Sequence, residues 1–427
     1  MTCRVPILVL LLLATPCLAT CASGSYEMKA VENSRKINAL RIYLDCHRCD
    51  ADYIRTEITF VNYVRDRKDA QVHILITTQR TASGGSEYTI TYIGQQEFSG
   101  QDDVLQFGAN EFDTDYIVRE SLARTLKLGL IRYVAQTPLA DQIDISYKQE
   151  MKPIEVLDKW DSWVFRVGLN NRFDGETQKN SIDLNGSISA DRITPELKIR
   201  LSLYGSYDEE NYFFDDSTVS SFQRSASLTG QVVKSISEHW SIGVQGRANS
   251  SSYRNIQQET ILAPAVEYNL FPYSESTRRE LRFLYTASYN PVDYIDTTIF
   301  SKTSEKLLRQ SLDITLEMKE TWGSIRVSLD GSHYFHDPGL YRVALNGNVE
   351  LYLFKGLSLD LFGNISKIND QLSLLKRDFS TEEILLGTSQ LATDFEYGVS
   401  MGLSYTFGSI YSNVVNPRFG NGRRSHR

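Results

Sequence analysis

From residue 161 to residue 408 the chain repeats one pattern about twelve times: a run of alternating apolar and polar side chains, closed by turn residues. In "LKIRLSLYGSY", residues 197–207, Leu197, Ile199, Leu201 and Leu203 alternate with Lys198, Arg200, Ser202 and Tyr204. Successive side chains of a strand point to opposite faces, so such a run has one oily face and one charged face. "SIDLNGSISA", "SIRVSLDG", "YRVALNGNVELYL" and "LSLDLFGNIS" behave alike. An apolar face on every strand must be covered. Either a second sheet packs over it, as in a soluble β-sandwich, or lipid does, around a sheet closed into a barrel.

The connections favour lipid. Those at 194–196, 237–239, 274–277, 321–323 and 355–356 are short, and those between them are mostly longer. "DEENYFFDDSTVSS" and "NDQLSLLKRDFSTEEILLGTSQ" read as long loops, and "HDPGL" as the shortest of that set. Short turns on one side and longer loops on the other, with an even strand number, are the habit of outer-membrane barrels. Trp160, Trp163, Trp240, Phe271, Tyr273, Trp322, Tyr352 and Phe354 gather near the short turns. Tyr207, Tyr212, Phe213, Phe214, Tyr253, Tyr289, Tyr334 and Phe335 gather near the other ends, as interfacial girdles do.

The last run, "SMGLSYTF", resembles the C-terminal signal by which bacterial outer-membrane β-barrel proteins are recognised for assembly. Ser400, Gly402, Tyr405 and Phe407 fill its places, although here further residues follow the final aromatic. The resemblance implies an antiparallel transmembrane barrel of about twelve strands, outer-membrane lipid and the barrel assembly machinery as partners, and a Gram-negative envelope. The polar face then lines the lumen, with Arg166, Lys198, Arg200, Arg247, Arg282, Arg309, Asp313, Arg326, Asp330, Arg342, Glu350 and Asp360 as candidate lining residues. Arg172, Asp183, Glu267 and Glu317 fall on the same face.

Ahead of the strands the pattern is mixed. "INALRIYLDC" reads as a strand, and Ile54, Ile58, Val61 and Val64 as one face of a helix capped by Asp50. "AQVHILITTQRTASGGSEYTITYIGQQEF" reads as a hairpin, and a second helix starts at Asp113, Thr114 and Asp115. The order β-α-β-β-α predicts one sheet backed by helices, and in that order it resembles the small periplasmic domains of the TolB N-terminal and CsgG-like type. Cys46 and Cys49, in "CHRC", suit a redox pair, a metal site with His47, or a local disulfide. No proline occurs between Gly24 and Pro138 to serve a thioredoxin-type site, and the disulfide is preferred.

The N-terminal run "MTCRVPILVLLLLATPCLATCASG" has one early arginine and an apolar core too short to span a bilayer, and reads as a signal peptide. Cleavage after Ala19 or Ala22 and lipidation of Cys21 are the alternatives. No later stretch has the roughly 20 continuous apolar residues of a transmembrane helix. The chain thus divides into a signal peptide (1–22), a periplasmic α/β domain (36–135), a linker (136–160), the barrel (161–408) and a periplasmic extension (409–427).

The 427 residues are rich in Tyr (24) and Phe (19) and poor in Pro (10), which suits strands. A net charge of -8 gives no basic face for nucleic acid. The expected function is a channel or porin-like path, or a membrane anchor, whose periplasmic domain binds a protein or cell-wall partner. The alternatives are an outer-membrane lipid-hydrolysing enzyme, for which Ser332, His333 and His336 are the nearest residues, and a secreted soluble β-sandwich. No cofactor, metal ligand or catalytic set is assigned.

Overall fold

The computed structural model describes residues 39–46, 49–81, 84–146, 159–214, 217–377, 386–387, 389–413 and 415–416. The expected signal peptide, Cys21 and His47 lie outside the described residues.

The N-terminal domain is built from β1 (Arg41–Asp45), α1 (Ala51–Glu57), β2 (Asn62–Tyr63), β3 (Val72–Arg80), β4 (Ser86–Gly94), β5 (Asp103–Ala109) and α2 (Asp115–Val134). The sheet order is β2-β1-β3-β4-β5; β1 is parallel to β2 and β3, and the rest are antiparallel. The Asp50 carboxylate accepts from Tyr53 N and caps α1; Thr114 does the same for α2 through Ile117 N. Ile54 and Ile58 pack with Leu122, Leu126 and Leu130 over Ile42, Val72, Ile74 and Ile90. Each such buried side chain contributes about 1.5–3 kcal/mol. Tyr92 reaches under α2, where its hydroxyl donates to Thr125 O at 3.1 Å; Gly129 makes the room, since any Cβ there would overlap the Tyr92 ring.

Two sequence expectations are corrected here. The first helix ends at Glu57 and does not carry Val61 and Val64. The segment is rich in β-branched residues, which are stiff in helices and suit strands, and edge pairing takes it over: Asn62 and Tyr63 join β1, and Val64 bridges Tyr411. The domain also has a fifth strand, β5, whose Leu105, Phe107 and Ala109 alternate inward.

The second sheet has twelve antiparallel strands in sequence order. They are β6 (Trp163–Gly175), β7 (Lys179–Ile193), β8 (Leu197–Phe214), β9 (Ser217–Ser235), β10 (Trp240–Ser251), β11 (Ile256–Asn269), β12 (Arg279–Tyr294), β13 (Ser304–Glu320), β14 (Gly323–Tyr334), β15 (Tyr341–Phe354), β16 (Leu357–Ile368) and β17 (Phe395–Tyr405). Each pairs with its chain neighbours, and among the described residues no ladder joins β6 to β17. The expected closure is therefore met only as a curled, open-edged sheet: one cavity is bordered by every strand from β6 to β15. The predicted loop over residues 208–221 is not a loop. β8 and β9 run on as a hairpin to Phe214 and Ser217.

Alternation holds through the middle of the sheet. Leu201, Leu228, Val244, Leu262, Leu308 and Leu345 are all exposed on the outer side, and among the described residues no second sheet covers them. Arg200, Gln231, Arg247, Ser288, Ser311 and Asp330 face the cavity. This is the reverse of a soluble β-sandwich, whose apolar faces meet each other.

Candidate functional site

The site is the interior of the curled sheet and what covers its two ends. At the short-turn end sits the N-terminal domain. Strand β3 is buried continuously from Val72 to Thr77. Val72, Ile74 and Ile76 face the helices. Leu75 and Thr77 line a cavity of about 490 Å³ whose other wall is Glu317, Glu320, Arg326 and Glu350 of the large sheet. A strand covered on both faces loses its alternation, which explains the unbroken "VHILITT".

The two bodies are joined by polar contacts at the rim. Arg67 donates to Tyr352 O at 2.8 Å and lies over the Tyr352 ring. Lys355 pairs with Asp69 at 2.7 Å, and Gly356 N donates to Asp66 Oδ2 at 2.7 Å. On the opposite side Arg166 pairs with Glu111 at 2.8 Å. The chain after β17 returns to the domain: Ser412 N donates to Tyr63 O, Arg65 N to Ile410 O, and Tyr63 N to Asn413 Oδ1. The tail thus extends the sheet beyond β2 and leaves that edge paired.

From this seat the β3–β4 hairpin projects inward. Its Arg80, Thr81 and Gly84 border the same cavity, of about 770 Å³, as Arg200, Arg247, Arg309 and Arg342. At the far end residues 369–377 fold over the opening. Leu372 packs with Ile256, Val292, Tyr294, Leu307 and Tyr334. Ile299 N donates to Leu374 O, and Asp370 is held by Arg342 at 3.0 Å and Arg309 at 3.6 Å. The interior is a chamber with a plug at one end and a lid at the other.

The candidate lumen residues separate into groups. Arg166, Arg200, Arg247, Arg309, Asp313, Asp330 and Arg342 border the chamber. Lys198, Arg282 and Glu267 line a neighbouring recess with Arg80, and Arg326, Glu317 and Glu350 face the docked domain. Asp360 stands opposite Gly402 on the strand pair next to the open edge. Arg172 pairs with Asp174 near the far end of β6 and is largely exposed, and Asp183 is its register partner. Ser400 and Gly402 take the inward side of β17, while Tyr405 faces outward; Phe407 lies two residues past the strand.

Several aromatics assigned to girdles point inward instead. Tyr273 donates to Glu267 at 2.8 Å, Tyr352 donates to Glu350 at 2.8 Å, and Tyr334 is buried under the lid. Their hydroxyls, or their fit to a small core, outweighed the interface. Ser332 and His333 are on opposite faces of β14. The Ser332 hydroxyl accepts from Arg309, and His333 Nε2 meets Gln310, so the two do not form a nucleophile–base pair. Cys46 and Cys49 are joined by a disulfide that closes the turn between β1 and α1, and Cys46 borders the cavity under the domain.

Sequence reading missed the plug and the lid. Both are contacts between distant segments, and neither Glu111 nor Asp370 carries a local signal.

The plug contacts respond to pH. The hydrogen bond from Arg166 holds the Glu111 carboxyl below its usual value of 4.5. Its contribution is present above pH 4.5 and lost as pH falls through the lowered value. The hydrogen bond to Asp69 raises the Lys355 ammonium above its usual 10.5, so that contact is intact below 10.5 and lost as pH rises through the raised value. Domain docking, followed by proteolytic accessibility of the hairpin, is expected to be tightest between these limits. It should also loosen with added salt at neutral pH, because the pairs are partly exposed.

No family model matches the chain, and no curated protein matches it.

Proposed function

We propose that this is an outer-membrane protein whose twelve-stranded sheet closes in lipid around a polar path, with the N-terminal domain seated as a plug in its periplasmic mouth. One observation carries the reading: every one of these strands carries exposed apolar side chains on its outer face, while polar alternates of β6 to β15 surround one chamber. A bilayer covers such an outer face. It also demands that every backbone group be paired within the protein, which in lipid brings the free edges of β6 and β17 together. No helix of the described residues is long and apolar enough to cross a membrane, so strands carry the crossing.

Between path and anchor, the chamber favours a path held shut. A structural lumen needs only a filled interior, whereas this one keeps open volume between two separate covers. Against the lipid-hydrolysing alternative, Ser332 and His333 lie on opposite faces of β14 with Arg309 and Gln310 as their partners.

The test is membrane fractionation of the exported protein with gel mobility before and after boiling. The expected result is extraction by detergent alone and a mobility that changes on heating. A chain that dissolves without detergent overturns the reading.

A further inference from the structure

We infer that the chamber holds a small oxyanion, phosphate-like in size and charge, gripped jointly by the plug and the wall of the sheet. The claim goes beyond a polar path by naming the solute class and by making the plug part of the site.

The charge is unevenly spread around the chamber. The wall formed by β6 to β10 presents Arg166, Arg200 and Arg247, and the hairpin brings Arg80 to the same space. Arg166 is paired with Glu111 at 2.8 Å. Arg200 reaches its one acid, Asp191, at 3.8 Å. Arg80 and Arg247 make no ion pair within 4.0 Å among the described residues. Of these three guanidinium groups only Arg200 has a carboxylate within 4.0 Å, and Glu111, already paired with Arg166, is the other acid close to Arg80. The acids of the opposite wall stand across the chamber from these arginines: Asp313 lies 3.3 Å from Arg282, Asp330 is the register partner of Asp313 on β14, and Asp370 is divided between Arg309 and Arg342.

Excess positive charge inside low-dielectric walls raises the local concentration of anions. Guanidinium groups grip oxyanions through paired N–H donors. Thr229, Gln231 and Gln245 line the same wall between the arginines and supply neutral donors for remaining oxygens. Because Arg80 belongs to the N-terminal domain, an anion bound there bridges plug and barrel and favours the seated state.

Equilibrium dialysis of the full-length protein against inorganic phosphate tests this, with choline as the cationic control. Saturable phosphate binding is expected, with none for choline. Arg247→Gln and Arg80→Gln should each weaken binding about tenfold or more, because each removes a charged donor. Arg326→Gln, whose charge is taken up by Glu317 at 2.7 Å, should bind as the parent does. Circular dichroism confirms that each variant remains folded. Absence of saturable binding by the folded parent, or parental binding by Arg247→Gln or Arg80→Gln, overturns the inference. Neither result bears on whether the protein needs detergent, so failure of the membrane reading remains a separate outcome.

Discussion

Gly84→Val is expected to release the hairpin plug while leaving both sheets folded. Gly84 has φ +81, and a Cβ there would overlap the Arg166 guanidinium and the Glu111 carboxylate. A β-branched residue at such a φ is a strong outlier, and the left-handed conformation costs an L-residue about 1–2 kcal/mol. The overlapped atoms are the ends of two flexible side chains, so they give way readily. In giving way they break the ion pair that clasps the domain to β6. A shift of about 1.4 kcal/mol changes a population tenfold, so the released state should rise by about that factor or more. Trypsin reports it: Arg80 is open to solvent but borders the chamber, which is too narrow to admit a protease, so it becomes a cleavage site on release. Gly100→Val is the control. It has nearly the same backbone angle, φ +83, but nothing within 4 Å of its Cβ. It carries the backbone strain without the clash, so it should destabilise the domain and leave cleavage at Arg80 unchanged. Equal cleavage in the two variants would show that domain strain, and not the clasp, governs seating.

How much of this was legible from sequence follows from what each segment is packed against. The strands of the large sheet were read because each has one apolar side. A period of two survives wherever one face meets a single medium, as in Leu197 to Leu203. It fails where the surroundings change. Beyond Tyr207 the β8–β9 hairpin continues with Asp208, Glu209 and Glu210, which looked like a loop. There the strands are held by polar contacts along their surface: Glu210 bonds Lys179 and Tyr212, and Asn211 bonds Glu209. Water on both faces removes the need for alternation, and with it the signal. In β3 both faces are buried, so the run was assigned to a hairpin without any hint that its second face meets the large sheet. The arginines of the chamber wall were found as a set by parity alone, whereas Arg80, brought in by the hairpin of the N-terminal domain, was not. Which of them stand free depends on partners such as Glu111 and Asp370, which lie far from them in sequence and are brought near only by the fold.

Leu262→Arg separates lipid from water as the medium outside the sheet. Leu262 lies at the middle of β11, on the outer face, between register partners Gly246 and Tyr289, and is 55% exposed. In a soluble protein a half-exposed leucine away from any special feature tolerates arginine to within about 0.5 kcal/mol. At the middle of a lipid-facing barrel strand the same change costs about 2–4 kcal/mol. Leu128→Arg supplies the comparison, since Leu128 is 60% exposed on α2 of the N-terminal domain and arginine is a good helix former. Unfolding by denaturant from lipid vesicles should show the large loss for Leu262→Arg and almost none for Leu128→Arg. If both fall within about 0.5 kcal/mol of the parent, the outer apolar band faces water, and the charged interior is then the inside of a soluble, curled sheet. The two exposures are nearly matched, so any difference in cost reports the solvent and not the packing.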